Sequence, residues 1–131
     1  MSRIIGIDLG TTNSLVACAD ERGPVIIRGP GGQRLLPSVV RVEPGGGFVV
    51  GREARDHAVE RAGETVFSVK RLMGRSLEDV AGDLEALPYG VEARAGEAGR
   101  SGAVDVVAGG RRMAPPEVSA IVLGELKSWA E

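Results

Sequence analysis

The first apolar run, residues 4–9, is hydrophobic on both sides: Ile5, Ile7 and Leu9 fall on one face, Ile4, Gly6 and Asp8 on the other. Such a run predicts a central strand covered on both faces. A second run at residues 15–19 and a third at 25–27 are parted by Asp20-Glu21-Arg22-Gly23-Pro24, which predicts an antiparallel meander. The breaker cluster Gly29-Pro30-Gly31-Gly32 ends it.

Beyond the breaker, short strands are predicted at 38–42 and 48–50 around Pro44-Gly45-Gly46-Gly47. Residues 51–62 are helical in composition and heavily charged, and 65–73 read as a short, mostly apolar helix carrying Lys70. A Ser76-capped turn follows, then strands near 89–93 and 103–107 and a Gly109-Gly110 hairpin turn into 111–113. The clearest helix comes last. Pro115 and Pro116 suit a first turn, where missing N–H groups cost nothing, and Glu117 complements the helix dipole. Val118, Ile121, Val122, Leu126 and Trp129 make one apolar face. The chain stops at Glu131 with that face still needing a sheet, the ending expected of a truncated domain.

Composition narrows the class. The 131 residues, 43% hydrophobic and 26% charged, fit a globular chain, and 3% aromatics leave the core to Val, Ile, Leu and Ala. A net charge of −2 offers no basic footprint for nucleic acid. One cysteine, Cys18, cannot form an internal disulfide, and no signal-peptide layout or membrane-length apolar run is present. The expectation is a cytoplasmic protein with neither nucleic acid nor membrane as partner. Of the 16 basic residues only Lys70 and Lys127 are lysine.

The chemistry concentrates in "IGIDLGTTNS", residues 5–14. Asp8 lies where a strand expected to be buried meets the surface, and a carboxylate there is costly unless something positive meets it. Gly10, Thr11, Thr12 and Asn13 then form a tight turn rich in N–H groups and hydroxyls, a cradle for anionic oxygens. A carboxylate beside such a cradle makes sense if a Mg²⁺ lies between them, held through waters. The alternative is a plain β-hairpin with polar turn residues. A P-loop is excluded, because no Gly-Lys-Ser/Thr follows and no helix opens after the glycine.

"IIGIDLGTTNSLVA" resembles the first phosphate-binding hairpin of the actin-like ATPase superfamily, and within it the DnaK-type seventy-kilodalton heat-shock chaperones. Sugar kinases share nearly the same turn. The later segments "LPSVV" (36–40), "VGREARDHAV" (50–59), "TVFSVKRLMGR" (65–75) and "MAPPEVSAIVL" (113–123) follow the order and spacing of the chaperone's ATPase domain. The match runs from Arg3 to the C-terminus and is weakest over 76–110. Leu35 and Leu36 depart from it, standing where the family usually has two threonines.

The resemblance implies an α/β fold of the actin-like (ribonuclease H-like) type, limited to the N-terminal lobe. Residues 1–29 would give its first three strands with the phosphate hairpin, 30–113 an inserted subdomain, and 114–131 a helix returning to the lobe core. It implies a heat-shock, stress-response chaperone in which ATP or ADP with Mg²⁺ gates binding of unfolded polypeptide, helped by co-chaperones. Asp8 would hold Mg²⁺ through water, Gly10, Thr11, Thr12 and Asn13 would bind the β- and γ-phosphates, and Lys70 would lie beside the γ-phosphate and the attacking water. The second phosphate motif, the adenine-binding lobe and the substrate-binding domain would lie beyond Glu131. The chain alone is therefore expected to be catalytically weak or silent, and to self-associate through the strand edge at 3–9. A catalytically inactive remnant and the start of a sugar kinase-like phosphotransferase are the alternatives; the Lys70 and Ala114-Pro115-Pro116 segments speak against the second.

Remaining residues read as structural: His57, Arg52, Arg55 and Arg61 on a solvated face, Cys18 in a strand, Trp129 in the apolar stripe of its helix, Lys127 on that helix's polar side. Lys70 is different. A snorkelling surface lysine is the plain reading, yet a chain that uses arginine nearly everywhere has here a compact ammonium, which meets phosphate as a point charge.

Overall fold

The computed structural model describes residues 4–94 and 103–131. Among the described residues, ten strands and three α-helices, with short 3-10 turns between them, arrange into three antiparallel sheets around one core. The class is α/β.

The first sheet is the predicted meander. β1 (Ile5–Leu9) pairs with β2 (Asn13–Asp20), which pairs with β3 (Gly23–Ile26). The register sets Asp8 opposite Leu15 and Leu9 opposite Ser14, so the chain reverses through Gly10, Thr11 and Thr12. One strand went unforeseen. The two-residue β4 (Leu36–Pro37) joins the start of β2, with Ser14 opposite Leu36. Residues after the Gly29–Gly32 breaker thus return to the hairpin.

β1 corrects the expectation of a central, doubly covered strand. Among the described residues it pairs with β2 alone, and Ile5 and Ile7 are each 37% exposed while Ile4 is 92% exposed. An edge strand with both faces partly open produces the same apolar run as a buried one, so periodicity cannot separate them. The Arg3 end of that reading lies outside the described residues.

The second sheet is built on β5 (Val40–Val42), flanked by β6 (Phe48–Val50) and β7 (Thr65–Val66). Val40 and Val42 are buried, and so is Arg41 between them, whose Nη2 lies 2.9 Å from the Glu43 Oε1. The third sheet runs β8 (Gly90–Ala93), β9 (Val104–Ala108), β10 (Arg111–Met113), with the last two joined through Gly109-Gly110 as predicted. Both turn glycines have positive φ, 56° and 76°, the left-handed conformation that such a turn demands. Asp105 is buried in β9 and held by the Arg94 Nε at 2.9 Å and the Arg112 Nε at 3.0 Å.

Two helical expectations are corrected. Within 51–62 only α1 (Arg52–Asp56) is α-helical, because its single buried side chain, Ala54, gives the remaining turns no apolar face to pack. Residues 65–73 are not a helix. Thr65 and Val66 are spent on β7, Ser68 turns left-handed at φ 57°, and only Val69–Leu72 coil, as a 3-10 turn. The β-branched Thr65 and Val66 fit a pleated strand better than a helix. Further on, α2 (Leu77–Val80) begins with a complete capping box between Ser76 and Asp79.

The last helix, α3 (Pro115–Ala130), has the predicted face, with Val118, Val122 and Leu126 almost fully buried. Each such side chain contributes about 1.5–3 kcal/mol by leaving water. That face is satisfied within the chain, against β2 and the Val69–Leu72 turn, which corrects the expectation that it lacked a sheet. The core runs through all three sheets, from Val16 through Val40, Val66 and Leu72 to Val106 and Leu126. Among the described residues, no helix is long and apolar enough to cross a membrane.

Candidate functional site

The β1–β2 turn is closed so tightly that one position admits only glycine. A Cβ on Gly10 would stand 2.1 Å from the Asn13 carbonyl oxygen, which is backbone and cannot swing aside. Three hydrogen bonds from Ser38 tie the turn down. Its Oγ donates to the Gly10 carbonyl at 2.9 Å, its N–H donates to the Thr12 carbonyl at 2.9 Å, and its hydroxyl shares a 2.8 Å bond with that of Ser14. Thr11 is half-buried and Thr12 exposed, and their N–H groups donate to no backbone carbonyl among the described residues. Among the described residues the turn thus keeps two N–H donors without a backbone acceptor while its Gly10 and Thr12 carbonyls are occupied by Ser38.

Ser38 is the residue that the sequence reading passed over. It sits inside the "LPSVV" stretch and immediately follows β4, and its signal was a lone hydroxyl among apolar residues.

Lys70 reaches the same turn from 61 residues away, and its Nζ donates to the Leu9 carbonyl at 2.6 Å. The local fold explains the reach. The left-handed Ser68 turns the chain out of β7, so that Val69 and Leu72 point into the core while Lys70 and Arg71 point out. Tyr89 fixes the approach: its hydroxyl donates to the Phe67 carbonyl, and its ring meets Phe67 edge to face at a centroid distance of 5.7 Å. Burial pushes the Tyr89 hydroxyl's pKa well above its ordinary value, so it remains a donor at any physiological pH.

Asp8 stands exposed at the end of β1, one residue from the carbonyl that holds Lys70. This corrects the expectation of a carboxylate paying for burial: at an open edge it keeps its water. Gly10, Thr11, Thr12 and Asn13 are together in the turn, with Asp8 and Lys70 flanking the intervening Leu9. His57 and Cys18 lie elsewhere, His57 near Glu60 and Cys18 in β2. Lys127 is on the exposed side of α3, 3.7 Å from Glu131.

The donor set suits an oligophosphate: two N–H groups that donate to no backbone carbonyl among the described residues, two threonine hydroxyls and an ammonium. It suits a metal less completely. No group of three or more His, Cys, Asp or Glu side chains that could hold an ion exists among the described residues. A Mg²⁺ here would rest on Asp8 with waters and phosphate oxygens as its other ligands, which is that ion's ordinary habit.

The Hsp70 protein family model matches residues 4–131. The chain belongs to the Hsp70 family. Hsp70 proteins are chaperones that bind adenine nucleotide with Mg²⁺, and the match takes in the hairpin, the Lys70 turn and α3 together.

Proposed function

We propose that this Hsp70 chain supplies the first phosphate-binding hairpin of an actin-like ATPase domain of the DnaK type. Nucleotide there would gate the binding of exposed apolar segments of unfolded polypeptide, in concert with co-chaperones. In this reading residues 1–29 belong to the lobe core, 30–113 form the inserted subdomain, and 114–131 return to the core. Gly10 to Asn13 bind the β- and γ-phosphates, and Asp8 holds Mg²⁺ through water. Lys70 places its ammonium beside the terminal phosphate and the incoming water.

One observation carries the reading. An ammonium from a distant loop is held at 2.6 Å on the carbonyl that opens a glycine-dependent turn. A lysine serving only solubility has no reason to be anchored at that carbonyl. The metal, when bound, would neutralise charge on the phosphates; the chain's own part is to orient them with donors that are already positioned before nucleotide arrives.

The test is Asp8→Asn in an Hsp70 ATPase domain carrying this segment. Nucleotide affinity should fall in Mg²⁺ and change little in EDTA, because the carboxylate faces the ion. Equal losses in both conditions would remove Asp8 from the metal.

A further inference from the structure

Ser14 in β2 is 1% exposed and stands opposite Leu9 on one side and Leu36 on the other. Among the described residues its hydroxyl has one hydrogen-bond partner, the Ser38 hydroxyl at 2.8 Å. Counting protons gives this pair a direction. A serine hydroxyl carries one hydrogen, and a carbonyl oxygen can only accept. Ser38 commits its hydrogen to the Gly10 carbonyl at 2.9 Å, so Ser14 is the donor to Ser38. The chain runs one way, from Ser14 through Ser38 to the Gly10 oxygen, and hydrogen bonds linked in this manner polarise one another.

The chain ends on the peptide that joins Gly10 to Thr11. In a planar trans peptide the C=O and N–H point in opposite directions. Holding the Gly10 carbonyl on Ser38 therefore turns the Thr11 N–H away from Ser38, and drawing electron density onto that oxygen makes the N–H a stronger donor. The Ser38 N–H holds the Thr12 carbonyl in the same way, at 2.9 Å, and so sets the direction of the Asn13 N–H. Lys70 holds the carbonyl of Leu9, so the consecutive peptides 9–10 and 10–11 are each fixed by a side chain from a distant part of the sequence.

We propose that Ser38, backed by Ser14, is a positioning residue of the hairpin turn: it aims and polarises the Thr11 N–H for an anionic phosphate oxygen. This rests on the reading of residues 10–13 as a phosphate turn. Ser38 itself touches no ligand in this account. Its effect passes through the Gly10 carbonyl, in the turn that leaves no room for a Cβ at Gly10.

The experiment uses the full 131-residue chain and inorganic tripolyphosphate, read from backbone amide signals in nitrogen–proton spectra. In the parent chain the Thr11 amide should shift saturably. Ser38→Ala should weaken that affinity roughly 3- to 10-fold, the worth of one net hydrogen bond, and should move the Thr11 nitrogen signal before any ligand is added. Ser38→Thr keeps the hydroxyl and should recover most of both. Ser14→Ala leaves both Ser38 bonds to the hairpin in place and removes only the polarising donor, so its loss should be about 2-fold, the low end of that range. The Gly109 and Gly110 amides in the third sheet report that each variant is folded. Parental affinity in either folded alanine variant, with Thr11 still responding, would reduce Ser38 to a fastener of β4, and the proposal fails alone. Should Ser38→Ala not fold, Ser14→Ala decides. If tripolyphosphate leaves Thr11 of the parent unmoved, the phosphate-turn reading fails and takes the proposal with it.

Discussion

The Lys70 Nζ donates a 2.6 Å hydrogen bond to the Leu9 carbonyl across 61 residues of chain. The bond joins the loop after β7 to the turn after β1. A cation and the hairpin turn are thereby fixed relative to each other before any ligand arrives, which is what electrostatic preorganisation requires.

Lys70→Ala, in an Hsp70 ATPase domain carrying this segment, should lose hydrolysis while keeping nucleotide binding. Removing one positioned electrostatic contact typically lowers the rate by ~10²–10³-fold. Single-turnover hydrolysis measures the loss separately from binding, and a wild-type rate in the variant would exclude Lys70 from the reaction.

Gly10→Ala is a test of the turn itself. The new Cβ would fall 2.1 Å from the Asn13 oxygen, so the hairpin must open or shift. The expected cost is about 2–4 kcal/mol, in the range reserved for substitutions with a definite steric cause. It should be read from urea midpoints at constant slope. A loss under about 0.5 kcal/mol, the scatter of ordinary surface changes, would show the turn to be far looser than described.

How much of this was legible beforehand follows from what each signal encodes. The meander, the Gly109-Gly110 hairpin and α3 were readable because turn residues and periodicity agree there. The 65–73 segment was misread because Val66, Val69 and Leu72 are spaced as on a helix, while their burial comes from a strand followed by a left-handed residue and a 3-10 turn. A non-glycine residue at φ 57° is uncommon and leaves no mark in the sequence. At the candidate site, chemistry and resemblance single out Gly10 to Asn13 and Lys70, and the fold brings Lys70 to the carbonyl that precedes Gly10. Ser38 leaves no such mark, since its hold on the hairpin comes from tertiary placement.

Asp105 should govern part of the acid stability. Burial raises its pKa, but the hydrogen bonds and charges of Arg94 and Arg112 lower it further, leaving it below the ordinary carboxylate value. A depressed folded-state pKa contributes stability that is present above the unfolded value, about 3.9, and is lost as pH falls through the folded value. Asp105→Asn should therefore be less stable than the parent chain near neutrality, and the gap should close below about pH 4. Urea midpoints across a pH series check this; a gap that persists unchanged into acid would mean that the ion pairs contribute nothing.

The open side of β1 should make the isolated chain self-associate. Ile5 and Ile7 are 37% exposed, and the strand pairs on one side only among the described residues. Such an edge is a template for pairing with another chain. Light scattering over a concentration series should show mass rising with concentration, and a lysine at Ile5 should suppress it. A constant monomer mass would rule out the edge as a contact.

The most direct test of the central claim exploits the scarcity of lysine, since Lys70 and Lys127 are the only two. Amine acylation of the 131-residue chain, followed residue by residue by mass spectrometry, compares them with and without Mg–ATP. The nucleotide should be millimolar, where about 4 kcal/mol of binding suffices for occupancy. If the hairpin and Lys70 together hold the phosphates, Mg–ATP slows acylation of Lys70 and leaves Lys127 unchanged. Equal rates for Lys70 with and without nucleotide would contradict the account.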